Sequence, residues 1–239
     1  MPDHTIRLLN HSGQKNKYAL VPAPPMMTLG DANGKHDGGV LAWHAADVED
    51  QGQWDTTTTY QLYGWVGTTS QAPDFGIQTT TVDTKVAPPG TATTPAIIDR
   101  NPGTFKFSVT DGKPTLTAKD NSAPMDTVRF DLDGDLSPSN GTYYLYGMAK
   151  GTRISPGAPE VATPFAYFPP SATDPSVKYT VMAPVIQIWV CLYDCNAGEI
   201  VDFNEATKKA ILIRFLSQDN ALLATIEHKK DGSFEISYS

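Results

Sequence analysis

The sequence predicts an all-β protein, a single β-sandwich of many short antiparallel strands with very little helix, spanning 1–239 as one domain. Three observations predict it. Runs rich in Thr, Val, Ile, Tyr and Phe recur along the chain, and such residues suit a pleated, half-buried backbone. No window of about 15 residues carries apolar side chains at the helical period with caps at its ends. Gly, Pro and Asp separate the runs at short intervals, as in sandwiches and barrels.

The runs fall at 6–9, 18–21, 40–45, 58–66, 77–82, 104–109, 115–118, 128–132, 142–149, 178–182, 185–193, 211–215, 222–228 and 234–238. Asp231-Gly232 between the last two supplies the positive-φ residues of a tight hairpin. One or two helical turns are expected at 204–210. Prolines cluster at 22–25, 88–89, 156–159 and 169–170, which are loops or edges because proline cannot donate to a ladder. The stretch 87–103 is where a link between two lobes could fall, but a single large domain is the preferred reading.

A chain of this length buries a core without disulfides or metals. Lys and Arg number 18 against 26 Asp and Glu, a formal charge of -8, and the cations are not clustered. Phosphate recognition needs clustered cations, so nucleic acid is excluded as a partner. No apolar run approaches the ~18 residues of a membrane helix. The N-terminus lacks the cationic start and apolar run of a secretory signal, which points to a cytoplasmic protein or one exported without a cleaved signal peptide. Two glycosylation triplets, Asn10-His11-Ser12 and Asn140-Gly141-Thr142, carry little weight without a secretory route. Cys191 and Cys195, on one strand, would stand roughly 13 Å apart, beyond the ~7 Å reach of a disulfide, so two reduced, partly buried thiols are expected.

A short repeat links Thr59-Tyr60-Gln61-Leu62-Tyr63-Gly64 to Thr142-Tyr143-Tyr144-Leu145-Tyr146-Gly147. Two strands of similar role explain it, or else two related halves packed about a pseudo-two-fold axis. The alternation inside these strands says more. Successive side chains of a strand face opposite sides. Gln61, Tyr63 and Trp65 therefore share a face, as do Tyr144, Tyr146 and Met148, and as do Gln187, Trp189, Cys191 and Tyr193. Tyr and Trp join an apolar body to a polar tip, the composition of a ligand pocket. Gln61, Tyr63, Trp65, Tyr144, Tyr146, Gln187, Trp189 and Tyr193 are thus candidates to line one cleft for a small organic or sugar-like ligand. The competing reading makes them core or subunit-interface residues of a homo-oligomer.

Asp131, Asp133 and Asp135 resemble the start of a calcium loop, since hard cations take oxygen ligands at alternate positions. The pattern then fails, because Leu136 and Thr142 stand where Gly and Glu belong, so an acidic strand end before a turn at 137–141 is preferred. His36 and His44 match no ligand spacing and read as loop histidines. Asp37, Asp47, Glu49, Asp50 and Asp55 around Trp54 read as a solvated loop with one aromatic anchor. Nucleophile-elbow, phosphate-loop, zinc-helix and dinucleotide motifs are missing, and no cofactor is expected. Three functions remain: a ligand-binding protein, lectin-like or for a small organic molecule; a cofactor-independent isomerase, cyclase or lyase using Tyr63, Tyr146, Asp83 or His44; and a structural or self-assembling protein. Binding ranks first, because the enzyme demands catalytic groups that no motif locates.

Overall fold

The computed structural model describes residues 3–24, 27–29, 38–86, 103–120, 127–153, 158–170, 178–182, 187–215 and 222–239. His36, Asp37, Pro25, Pro88, Pro89, Pro156, Val185 and Ile186, and the stretch 87–102, lie outside them. Eighteen strands are described: β1 (His4–Asn10), β2 (Asn16–Pro22), β3 (Met27–Leu29), β4 (Gly39–Leu41), β5 (His44–Val48), β6 (Gly52–Thr69), β7 (Thr80–Val86), β8 (Gly103–Thr110), β9 (Lys113–Asp120), β10 (Thr127–Asp133), β11 (Tyr143–Arg153), β12 (Val161–Phe168), β13 (Lys178–Met182), β14 (Ile188–Leu192), β15 (Ile200–Val201), β16 (Ala210–Ile213), β17 (Leu223–His228) and β18 (Phe234–Tyr238). Helix is confined, among the described residues, to α1 (Phe203–Ala206) and a 3-10 turn at Thr207–Lys209.

The class is all-β, as the residue pattern predicts. The single sandwich is a finer statement than the strands carry, because they divide among three sheets. Nine strands form the largest, in the order β15-β4-β12-β11-β6-β1-β17-β18 with β7 also paired to β6. A second sheet runs β3-β13-β10-β8-β9 and a third β16-β14-β2-β5. Two neighbours are parallel where antiparallel pairing is expected. β1 runs parallel to β17, which comes from the far end of the chain. β10 runs parallel to β8, because β9 already occupies the other side of β8 and the chain must cross over.

One core joins all three sheets. Ile6, Leu8, Tyr146 and Ile226 from the large sheet meet Phe105, Phe107 and Phe130 from the second and Tyr18, Leu20 and Val190 from the third. Two satellite clusters flank it. One lies on the outer face of the large sheet around Leu41, Trp65, Leu145 and Ile200. The other lies between the third sheet and the β4–β15 edge, around Ala19, Val21, Cys191, Cys195 and Ala206.

Turn chemistry sets the hairpins. Asp111 and Gly112, between β8 and β9, both have positive φ (53° and 73°), the signature of a two-residue mirror-image turn. Gly232 is positive at 83° but Asp231 is not, so the β17–β18 turn is held differently. There the Asp231 carboxylate accepts from the Ser233 amide at 2.9 Å.

Several local expectations are corrected. Only a tight turn separates β5 from β6, closed by the Gly52 amide on the Glu49 carbonyl at 2.9 Å, so the expected acidic loop is mostly strand. Trp54 sits in β6 against the main core, and Asp55 accepts two bonds from Arg7 at 3.0 and 2.9 Å. His44 is no loop residue. It opens β5, is tilted against Trp43 at 5.0 Å, and is held by burial near a pKa of about 4. Asn10 of the first glycosylation triplet is fully buried, its Nδ2 donating to the carbonyls of Gln14, Val48 and Glu49, so no glycan fits it in the folded chain. Asn140 of the second is exposed on a turn.

Candidate functional site

The repeat brings its two copies together as neighbours, but back to back. β6 and β11 pair antiparallel, with Tyr63 opposite Ala149 and Tyr146 opposite Val66. Paired residues share a face, so the tyrosines of the two copies point to opposite sides of the large sheet. A two-fold axis normal to the sheet would keep them on the same side, so none relates the copies. The glycines that follow the tyrosines have a separate use. A Cβ on Gly64 would lie 2.8 Å from the Phe105 ring, and one on Gly147 only 2.0 Å from the Ala166 carbonyl oxygen and 2.8 Å from the Trp65 indole nitrogen. Each glycine admits an aromatic ring against the backbone, on opposite faces.

The eight candidate residues consequently fall in three places. Tyr144 and Tyr146 belong to the main core, where Tyr146 has Phe130, Phe107 and Phe168 at 5.1, 5.7 and 5.7 Å. Trp65 is fully buried in the outer satellite cluster and donates its indole N–H to the Ala166 carbonyl at 2.8 Å. Tyr63 packs against the same cluster, and its hydroxyl donates to Glu160 Oε1. Burial, then that hydrogen bond, push the phenol up to about 12. Gln61 donates to the Leu62 carbonyl at 2.8 Å. Trp189 and Tyr193 pack on the other satellite cluster, with Gln187 just before the same strand.

The calcium candidates are engaged elsewhere. Asp131 pairs with Lys119 at 2.8 Å and Arg129 at 3.0 Å, Asp133 with Lys106 at 2.6 Å, and Asp135 accepts from the Ser137 amide. Among the described residues no group of three His, Cys, Asp or Glu side chains is placed to hold a metal. The acid–base candidates are dispersed too. Tyr146 is in the core, His44 opens β5, Asp83 pairs with Lys85 on β7 at 3.2 Å, and Tyr63 lies on the outer face.

Of the eight, Tyr193 borders a recess among the described residues. A shallow groove of about 380 Å³ is bordered by Lys17, Asp47, Leu192, Tyr193 and Asp194. The third sheet builds it. Lys17 and Asp47 are cross-strand partners on β2 and β5, and Leu192 ends β14 opposite Tyr18. After Leu192 the chain leaves the sheet, and buried Cys195 ties the departing loop into the satellite cluster with Cys191. Both thiols are reduced, and burial pushes each up to about 12, so they act as small apolar groups. Asn196 and Glu199 lock the loop, the amide of each donating to the other residue. Asp202 then caps α1 through the amides of Asn204 and Glu205, while Phe203 meets the Trp189 ring edge-on at 6.3 Å.

The groove's border mixes three charged side chains, Lys17, Asp47 and Asp194, with the apolar bodies of Leu192 and Tyr193. Lys17 Nζ lies 3.0 Å from Asp194 Oδ1 and 3.3 Å from Asn196 Oδ1. That contact raises the ammonium pKa, so the charge is held. Burial is the first cause lifting the Tyr193 phenol, followed by the charges of Cys195, Asp202, Glu199 and Glu205. An apolar ring edge beside fixed ions and amides can stack a flat C–H face and hydrogen-bond hydroxyls at its rim. Lys17, Asp47, Leu192 and Asp194 are not among the sequence candidates. Leu192 and Asp194 flank Tyr193 in the chain, whereas Lys17 and Asp47 come from two other strands, and no linear spacing marks cross-strand neighbours. Comparison with family models, with curated proteins and with solved structures finds no match.

Proposed function

We propose that the protein binds a small, hydroxyl-rich ligand of the carbohydrate type in the groove at Tyr193. The observation that carries this reading is the meeting of a half-exposed tyrosine ring with the Lys17–Asp194 pair and Asp47 around one recess. Sealed aromatic clusters have no room for a guest, whereas this ring stands at the end of a strand where the chain turns away. Shallow recesses with polar walls suit hydroxylated ligands better than apolar ones, which need most of their surface covered. The enzyme alternative wants acid and base groups within hydrogen-bond reach of one reacting atom. Tyr63, Tyr146, Asp83 and His44 stand in four different settings, which weighs against it. A self-assembling protein wants open strand edges. The edges of β9 and β16 run beside β7 and β18, which disfavours that reading.

The test is a glycan array followed by nuclear magnetic resonance titration of the full chain with each hit. The expected result is saturable shifts at Lys17, Asp47, Leu192, Tyr193 and Asp194, lost in Tyr193→Ala. An array without hits, or shifts clustered away from the groove, would overturn the reading.

A further inference from the structure

The two ends of the large sheet are closed differently. At one end β15 is two residues long, too short to template a further strand. At the other stands β18, whose five residues pair with β17 in unbroken register, without a proline or a bulge. Ser239 and Leu223 exchange both backbone bonds, at 3.0 and 2.9 Å, and the Lys229 amide donates to the Ser233 carbonyl at 2.9 Å. Bonded pairs of an antiparallel ladder recur at every second residue, so Glu235 and Ser237 also turn their backbone groups to β17. The N–H and C=O groups of Phe234, Ile236 and Tyr238 therefore point away from it. Among the described residues no strand pairs with them. The chain after β16 comes near but meets the Tyr238 side chain: the Arg214 amide donates to its hydroxyl at 3.1 Å, and the Phe215 ring stands edge-on to its ring at 6.2 Å. Edge strands are commonly blunted by lysine, proline or a bulge. The edge strand β9 carries Lys113, Pro114 and Lys119, whereas the one charge of β18, Glu235, is paired with Lys229.

We infer that β18 is a dimer interface, a second copy of this chain adding its own β18 antiparallel about a two-fold axis at Ile236. Such an axis needs a strand that is compatible with its own reverse, and this one is. Phe234 then lies opposite Tyr238 of the second copy, Ile236 opposite its counterpart, and Tyr238 opposite Phe234. Each of these pairs joins outward-pointing backbone groups. Each also sets apolar against apolar on the core-facing side, where Phe234 and Ile236 already pack. On the other face Glu235 meets Ser237, so no like charges are opposed. An axis at Glu235 would set two carboxylates against each other, and one at Ser237 would leave Phe234 outside the paired segment. Tyr238 is among the exposed large apolar residues, and this pairing covers it. The contact is isologous and closes at two copies, so it builds no filament. It shares no residue with the groove at Tyr193 and stands apart from the ligand reading.

The test is sedimentation equilibrium of the full chain from about 1 μM to about 1 mM, with amide hydrogen exchange read by nuclear magnetic resonance at both limits. An edge contact of five residues is small, so a dissociation constant inside that range is expected. On dimerisation the amides of Phe234, Ile236 and Tyr238 should exchange about ten-fold more slowly, while those of Glu235 and Ser237, already bonded to β17, change little. Ser237→Lys places an ammonium opposite Glu235 of the second copy and should tighten the dimer about five-fold, whereas Ser237→Glu opposes two carboxylates and should weaken it by a similar factor. Both changes fall on an exposed side chain, and thermal melts check that the fold is kept. Tyr238→Pro removes an outward N–H and the exposed ring without touching a bond to β17, and it should shift the chain to monomer. A chain still monomeric at about 1 mM overturns the inference. So does a dimer whose added protection lies on other strands, or one that responds alike to Ser237→Lys and Ser237→Glu.

Discussion

Trp65 and Tyr193 come from the same kind of sequence, an alternating strand with two rings on one face, and they end in opposite conditions. Trp65 is sealed. It is fully buried, its N–H is satisfied by the Ala166 carbonyl, and glycines at 67 and 147 clear the space its ring fills. Tyr193 stands one residue beyond the end of its strand, half-buried, where β14 gives way to a loop held by Cys195. Position relative to the end of the sheet decides which ring packs and which can meet a ligand. A ring in the middle of a strand is covered by the next layer, while a ring at the strand's end borders whatever the loops leave open.

That contrast predicts a large stability cost on the sealed side and a functional cost without one at the groove. The largest effect belongs to the main core. Tyr146→Ala is expected to lose about 3–5 kcal/mol, because the ring is packed by three phenylalanines and its removal leaves a cavity. Denaturant melts check it, and a loss under 1 kcal/mol would mean that the ring is not the keystone described.

Acid comes next. Folded His44 is held near about 4 by burial, whereas its unfolded value is about 6.5. The unfolded chain therefore binds a proton that the folded chain refuses. Stability contributed by this residue is fully present above pH 6.5 and falls by roughly 3 kcal/mol as pH drops to 4. Burial lowers His4 and His228 as well, so they act in the same direction. Urea melts of wild type and His44→Gln between pH 4 and 7 should show the variant's curve markedly flatter. An unchanged slope would remove His44 as the cause.

Trp65→Phe should cost about 1–3 kcal/mol, because it keeps most of the apolar area but leaves the Ala166 carbonyl without its indole donor. At the groove the order reverses. Tyr193→Ala should change stability by no more than about 1 kcal/mol, as for a partly exposed position, while abolishing ligand shifts. If it unfolds the chain instead, Tyr193 is a packing residue like Trp65 and the contrast collapses.

Much of the fold was legible locally. The alternation in 58–66 and 142–149 marks strands; the structure extends the first at both ends to Gly52–Thr69 and the second at its far end to Arg153, and Thr56, Thr57, Thr68, Thr69 and Thr152 in the added stretches favour the same backbone. The helical turn at 204–210 is present as α1 and the 3-10 turn, held by the Asp202 cap. The hairpin at 229–233 forms, though with a different turn geometry. His44 was misread because burial of a short polar strand end depends on what packs over it. The groove was legible in one residue only, Tyr193, since Lys17 and Asp47 are distant in sequence and the adjoining Leu192 and Asp194 carry no pattern that marks a recess.

By itself the sequence determined the class of structure, the places where the chain turns, and which side chains share a face of each strand. All three follow from interactions within a few residues: backbone preference, the turn geometry of Asp-Gly pairs, and the two-residue period of a pleat. Only the tertiary structure decided the three sheets, the parallel pairings and which aromatic face is covered. Strand register and sheet order depend on partners dozens of residues away, and nothing in a strand's own residues names the layer that will lie against it. The pairing of β6 with β11 turned two similar tyrosine faces away from each other, and the end of β14 left a third ring at the border of a groove.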